Sequence, residues 1–293
     1  MKPLPLLIDF DGVIRLGDVP APDAKEFFNF IDKKRIPACV ISNSTLKTSS
    51  EIKEFFHNNN IEFNIPAITA SEAALKYARD KYKRVKVYCT ESVKKIFADL
   101  LVEKNPEAVI VGDLVDGWSY DILNQIFRDV YAGADFIAMQ KNKFWKPDGK
   151  NLCLDAGSFI SAIEYATGKE ALLIGKPSSI YFRTALKILG DENSSFYMLG
   201  DDLETDITGA QKIGGKGILI FTGKTKSLIE VTEDLPAYTT NNLLEVNPNP
   251  DLTEGAGFMR SSETSGLSYV ETLKKIIYLS RERAERQGIK LVA

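Results

Sequence analysis

The sequence predicts an α/β protein built on an open parallel sheet, and three observations carry that expectation. Aliphatic runs of strand length alternate with helical patterns along most of the chain, as βαβ units require. Several of those runs end directly on polar or acidic residues, and open parallel sheets keep their ligands beyond the carboxyl ends of their strands. Composition is that of a globular chain, 44% hydrophobic and 26% charged, and 293 residues suffice for one large domain or two ordinary ones.

The first series opens with "LLID" at residues 6–9, then the helical pattern "DAKEFFNFIDKKR", the strand "PACVISNS", the helix "SSEIKEFFHNNN" and the stretch "AITASEAALKYARDKY". A second series starts near residue 84. Its strand-like runs are "RVKVYC", "AVIVGD" and "ADFIAMQ"; its helix-like runs are "ESVKKIFADLLVE" and "YDILNQIFRDVYAGA", the latter repeating apolar residues at three- and four-residue spacing. A third series runs "ALLIGKP", "SIYFRTALKILG", "SSFYMLGDD" and "GAQKIGGKGILIFTG". The segment "NPNPDLTEGAGFMRSSETSG", residues 247–266, is rich in proline, glycine and serine and reads as a surface excursion or a flexible connection. After it, "LSYVETLKKIIYLSRERAERQG" has a helical period and reads as a C-terminal amphipathic helix packed on the core.

A net charge of -3 gives no global field for nucleic acid or an anionic membrane, so an anionic substrate must be held locally. Cys39, Cys89 and Cys153 have no CxxC or Cys/His partner, which suggests a reducing cytoplasm. Pro3 and Pro5 interrupt the amino-terminal apolar residues, and no run of about 18 apolar residues occurs elsewhere, so neither export nor a membrane anchor is expected. The sole histidine, His57, leaves a histidine-rich zinc site or a Ser/His/Asp triad almost nothing to build on. Proton chemistry falls to carboxylates.

Asp9 and Asp11 end the first apolar run. Side chains at i and i+2 of an extended chain share one side, so these two repel unless a cation or a shared proton intervenes; taken alone, they also suit a plain turn before Gly12. The other strand ends decide between these readings. Ser42, Asn43 and Ser44 follow "CVI"; Gly175 and Lys176 follow "LLI"; Gly200, Asp201 and Asp202 follow "FYML", with Asp206 a turn later. A hydroxyl, an amide, a lysine and several carboxylates form a kit for holding a phosphoryl group with Mg²⁺, which prefers hard oxygen ligands. Lys176 and Ser42 would neutralise and hydrogen-bond phosphoryl oxygens as charge redistributes. Ser42 also suits a helix N-cap, a position that itself favours anions.

These residues resemble the haloacid dehalogenase superfamily of phosphotransferases. Its DxDGV motif stands here as Asp9-Phe10-Asp11-Gly12-Val13, its second motif as Ser42-Asn43-Ser44, its third as Lys176 in "IGKPS", and its GDxxxTD motif as Gly200 to Asp206. The resemblance covers roughly residues 4 to 245, with Ser44 departing from a motif that often reads Thr-Asn-Asn. "GKPSSIYFRTAL", "GDDLETDITGAQKIG" and "ILIFTGK" look particularly like the class IIA branch, which includes p-nitrophenyl phosphatase-like, phosphoglycolate and pyridoxal phosphatase-like proteins.

The resemblance implies a doubly wound, Rossmann-like core from residues 1–80 and 172–293, an inserted α/β cap over 81–171, and a loop and helix from about 246. It implies a Mg²⁺-dependent phosphatase acting on a small phosphorylated metabolite through an aspartyl-phosphate. Asp9 would be the nucleophile and Asp11 the proton donor and acceptor, with Ser42, Asn43 and Gly12 around the phosphate and Lys176 balancing charge. Mg²⁺ would be held by the Asp9 carboxylate, the Asp11 backbone carbonyl and Asp201, with Asp206 acting through water and Asp202, Glu204 and Thr205 in support. The cap would close over the site, and family caps often support dimers, which implies a homodimer through the cap. Substrate selection would lie in "KPDGKNLCLDAGSF" with Trp145 just before it, although Trp145 and Phe159 equally suit the cap core. A receiver-type signalling domain shares part of this kit, but the DxD spacing, the late acidic loop and the large insert speak against it. A catalytically weak phosphate-binding protein of the same fold is the alternative.

Overall fold

In the computed structural model, which describes residues 3–145, 151–192, 195–226, 236–243 and 246, the chain divides into two compact units, Met1–Thr239 and Thr240–Ala293. In the first unit, Leu6–Asp9 forms β1 with all four residues buried, as an unbroken aliphatic run suits a parallel strand covered on both faces. A small antiparallel hairpin follows, β2 (Arg15–Leu16) and β3 (Val19–Pro20). Helix α1 (Ala24–Lys34) buries Ala24, Phe27, Phe28 and Ile31, the i, i+3, i+4, i+7 stripe of a helix lying on a sheet. After β4 (Ala38–Ser42), helix α2 (Ser49–Asn58) starts from a capping box in which the Thr48 N–H donates to Glu51 Oε2 at 2.8 Å. The "AITASEAALKYARDKY" stretch splits into β5 (Ala67–Thr69) and α3 (Ala70–Lys81), divided by a second capping box at Thr69 and Glu72.

The next segment builds a second sheet from β6 (Val85–Tyr88), β7 (Ala108–Val111) and β8 (Asp135–Ala138). Between β6 and β7 the helix expected over "ESVKKIFADLLVE" is only one turn, α4 (Glu91–Lys94), continued by a 3₁₀ turn at Lys95–Phe97. The open edge of β6 explains the difference. Val85 N–H donates to Leu100 O at 2.9 Å and Val102 N–H donates to Val85 O at 3.0 Å, so the chain leaves the helix to satisfy that edge. Helix α5 (Tyr120–Tyr131) precedes β8. The stretch expected as a selectivity turn follows β9 (Phe144–Trp145) and holds β10 (Cys153–Leu154), which pairs antiparallel with β9, and then the start of α6 (Ala156–Thr167), capped by Asp155. Its residues 146–150 lie outside the described ones. Strand β11 (Leu172–Leu173) completes a parallel sheet of order β11-β8-β7-β6.

The chain then returns to the first sheet through α7 (Ser179–Ile188), β12 (Tyr197–Gly200), a π-helical turn at Leu203–Thr208, α8 (Gly209–Gln211), β13 (Lys216–Ile220) and β14 (Tyr238–Thr240). Strand order is β14-β13-β12-β1-β4-β5, and β13 through β5 run parallel. The protein is therefore a doubly wound α/β core carrying an inserted α/β domain. Sequence-adjacent connections leave β1 toward β4, while β12 arrives on its other side; β1 ends at the switch point where such sheets open a crevice.

Helices α5 and α6 cover one face of the second sheet, with Ile126, Val130, Ile160 and Ile163 against Val109, Val111 and Phe136. Its other face joins the core of the first sheet. One cluster of buried residues runs from Leu7, Ile41 and Met198 through Ala74 and Ala78 of α3 to Val85, Ile110 and Ile137. Among the described residues no helix is long and apolar enough to cross a membrane. The loop expected at 247–266 and the helix expected after it lie outside the described residues.

Candidate active site

The ends of β1, β4 and β12 deliver Asp9, Ser42 and Asp201, the return from β11 delivers Lys176, and the π-helical turn delivers Asp206. All five residues are buried. Lys176 Nζ lies 2.5 Å from Asp9 Oδ1 and 2.7 Å from Asp206 Oδ1. One carboxylate oxygen each from Asp9, Asp201 and Asp206 lie within 4.8 Å of one another. Residues 197 positions apart in sequence thus share one small volume.

Missing side chains make this approach possible. Gly12 has φ +87°, and a Cβ there would sit 2.4 Å from Asp201 Oδ2; a Cβ on Gly223 would sit 1.8 Å from the same oxygen. That oxygen accepts the Lys224 N–H at 2.5 Å, and Thr222 Oγ1 donates to Gly12 O at 2.6 Å, so the loop after β13 is sewn to the turn after β1.

Burial pushes the Asp9 carboxyl well above its usual range; Lys176 opposes that push, and the neighbouring Asp206 and Asp201 add to it. Burial and the charge of Asp201 take Asp206 up to about 6 against the pull of Lys176. Asp201 is raised by burial too, against the Lys224 N–H and Lys176. For Lys176, burial works against its charge, but Asp206 and Asp9 outweigh it and raise its pKa. Three carboxylates around one ammonium leave a deficit of positive charge. Among the described residues, the buried Asp206 Oδ1 meets no partner besides its ion pair with Lys176. A hard cation with oxygen preference, such as Mg²⁺, fits both the all-oxygen donor set and the surplus of negative charge.

The remaining predicted residues surround this cluster. Asp11 is outside it, half-exposed, with Oδ2 at 3.5 Å from Ser42 Oγ and Oδ1 taken by Arg15. Ser42 Oγ accepts the Ser44 N–H at 3.1 Å, and Tyr181 Oη donates to Ser42 O at 2.6 Å and to Ile68 O at 2.8 Å. Asn43 is engaged with the backbone of Lys176: its Nδ2 donates to Lys176 O at 3.1 Å, and Lys176 N–H donates to its Oδ1 at 2.8 Å. Asp202 caps the π-helical turn, accepting the N–H groups of Glu204 at 3.0 Å and Thr205 at 3.2 Å, and pairs with Lys224. Burial alone would raise Asp202, yet Lys224 and Thr205 hold it below the usual carboxylate range. Trp145 is half-buried in β9, while Phe159 stacks on Trp118 with centroids 4.2 Å apart. Phe159 is thus packed within the second domain.

Arg15, Thr222, Lys224, Tyr181 and Thr45 escaped the sequence reading. Thr45 Oγ1 accepts the Asp113 N–H at 3.0 Å, tying the end of β7 to the loop after β4. Only Arg15 carried a local signal, a cation four residues from Asp11 inside a glycine turn; the others become visible only when distant loops meet.

Two family models match the chain. Residues 6–103 match "Haloacid dehalogenase-like hydrolase", and residues 173–246 match a HAD-hydrolase-like model. Haloacid dehalogenase-like hydrolase domain-containing protein 2 of Mus musculus is 31% identical over 237 residues, covering 80% of this chain and 90% of that protein. The phospholysine phosphohistidine inorganic pyrophosphate phosphatase of Rattus norvegicus is 31% identical over 196 residues, covering 65% of this chain and 72% of its own length. Among solved structures, p-nitrophenyl phosphatase from Archaeoglobus fulgidus superposes with a TM-score of 0.76 at 24% identity, covering 83% of this chain and 97% of that one, a likeness of fold.

Proposed function

This chain belongs to the haloacid dehalogenase-like hydrolases, and from that premise we propose that it is a Mg²⁺-dependent phosphatase that hydrolyses a small-molecule phosphate monoester through an aspartyl-phosphate on Asp9. The observation that carries this reading is the buried group at the strand ends: Lys176 Nζ at 2.5 Å from Asp9 and 2.7 Å from Asp206, with Asp201 beside them. Lys176, and Mg²⁺ when bound, offset the burial that raises Asp9, and the ionised carboxylate then needs no base to act as nucleophile. Asp9 forms a bond to phosphorus as the ester P–O bond breaks, and Asp11 gives its proton to the leaving oxygen, releasing the alcohol. Water then attacks phosphorus, passes a proton to Asp11, and frees Asp9 and inorganic phosphate. Ser42 hydrogen-bonds phosphoryl oxygen, while Asn43 braces the Lys176 backbone. Asp9, Asp201 and the Asp11 carbonyl, with Asp206 in support, would hold Mg²⁺, which would supply positive charge against the phosphoryl group. The three free cysteines support a reducing compartment, in keeping with a cytoplasmic enzyme.

A phosphate-ester panel with and without Mg²⁺ tests the proposal, run on wild type and Asp9→Asn. The panel includes p-nitrophenyl phosphate and, after the rat relative's name, phospholysine, phosphohistidine and pyrophosphate. Turnover that needs both Mg²⁺ and Asp9 is the expected result. Equal rates for Asp9→Asn overturn the nucleophile assignment. No turnover of any ester, with phosphate still bound, moves the chain to the phosphate-binding reading.

A further inference from the structure

The hairpin after the nucleophile places a guanidinium on one oxygen of Asp11. Arg15 Nε donates to Asp11 Oδ1 at 2.7 Å, and Nη2 donates to the same oxygen. Three anchors hold the arginine. Its N–H donates to Phe10 O at 2.9 Å, its carbonyl accepts the Gly12 N–H at 2.8 Å, and its guanidinium lies 5.3 Å over the Phe10 ring. Phe10 is itself buried and packs edge-on against Phe55 at 5.2 Å, so the aromatic platform is fixed by α2. A planar fork stacked on a ring presents its N–H groups in one direction, which a lysine ammonium does not.

We propose that Arg15 is the positioning residue for Asp11, an inference that rests on the acid/base role assigned to Asp11 above. By occupying Oδ1, Arg15 turns the carboxyl group so that Oδ2 points to the Ser42 side, 3.5 Å from Ser42 Oγ. Oδ2 is then the oxygen that exchanges the proton: it gives the proton to the leaving oxygen as the ester P–O bond breaks, and takes one from water when the phosphoaspartyl bond is hydrolysed. Misplacement of a proton donor by one ångström costs orders of magnitude in rate, so a residue that only aims Asp11 has kinetic weight without touching substrate.

The test is a double-mutant cycle with Arg15→Met, Asp11→Asn and the double variant, read as kcat/KM, which reports steps up to aspartyl-phosphate formation. Two substrate classes are compared under saturating Mg²⁺: an alkyl phosphate, whose leaving oxygen needs a proton, and p-nitrophenyl phosphate, whose leaving group does not. Arg15→Met is expected to cost about tenfold or more on the alkyl ester and under about threefold on the aryl ester, with the double variant no slower than Asp11→Asn alone, since general acid help is itself worth about a hundredfold or more. Arg15→Lys should recover part of the alkyl-ester rate, and it keeps the test alive if the methionine variant folds poorly. Equal losses on both esters, or losses that multiply in the double variant, overturn the positioning role. If Asp11→Asn itself leaves the alkyl ester unaffected, the acid/base reading of Asp11 fails instead, and with it the premise.

Discussion

Stripping the protein of divalent metal with chelator should make it more stable at pH 5 than at pH 7.5. A carboxyl raised in the folded state binds more protons folded than unfolded, so its stabilising contribution is full below the unfolded pKa of 3.8 and is lost as pH rises through the folded value of about 6. At pH 5, Asp206 is mostly protonated in the folded chain and almost fully ionised in the unfolded one. From pH 7.5 down to 5, this single group contributes on the order of 1 kcal/mol. Asp9, Asp201 and Asp155, all raised first by burial, add in the same direction. The depressed carboxyls Asp202, Asp99 and Glu107 contribute with the opposite sign, but their window lies below their ordinary values near 4. Urea unfolding at the two pH values in EDTA measures the difference, and Asp206→Asn should shrink it by on the order of 1 kcal/mol. Mg²⁺ reverses the order, because it binds the ionised carboxylates: at a hundred times its Kd it adds about 2.7 kcal/mol at pH 7.5, and less at pH 5 where protons compete. Metal-free protein that is less stable at pH 5 than at 7.5, with Asp206→Asn unchanged in slope, refutes the electrostatic account of the site.

Gly223→Ala would place a methyl group 1.8 Å from Asp201 Oδ2, so the loop or the carboxylate must shift. Mg²⁺ affinity, measured by calorimetry, should weaken by about tenfold or more while urea unfolding in EDTA changes by less than about 1 kcal/mol. Tyr181→Phe removes the hydroxyl that donates to both Ser42 O and Ile68 O in the core. The hydroxyl has one proton to share between these carbonyls, so losing it should cost about 1 kcal/mol by urea unfolding and raise KM for the phosphate ester.

The parallel core was legible because its strands are continuous apolar runs, and the ends of those runs point to Asp9, Ser42, Lys176 and Asp201 from sequence alone. Local patterns failed where tertiary partners won. The helix expected after Thr90 stops at Phe97, because the unpaired edge of β6 draws in Leu100 and Val102. The expected turn over "KPDGKNLCLDAGSF" ends inside α6, because the Asp155 side chain accepts the Ala156 N–H at 2.6 Å and starts the helix. Asn43 shows a subtler limit: beside the phosphate contact its position suggests, its side chain is bonded to the backbone of Lys176, a residue 133 positions away. Such pairings have no trace in spacing or composition.

The shared interior of the two sheets bears on how the inserted domain moves. Swinging the inserted domain outward as a body would part Val85, Ile110 and Ile137 from Ala74 and Ala78, and each 100 Å² of apolar surface wetted costs roughly 2.5 kcal/mol. A rigid outward swing therefore carries a hydration cost at every step, and the junction between the two sheets acts as a stiff joint rather than a free hinge.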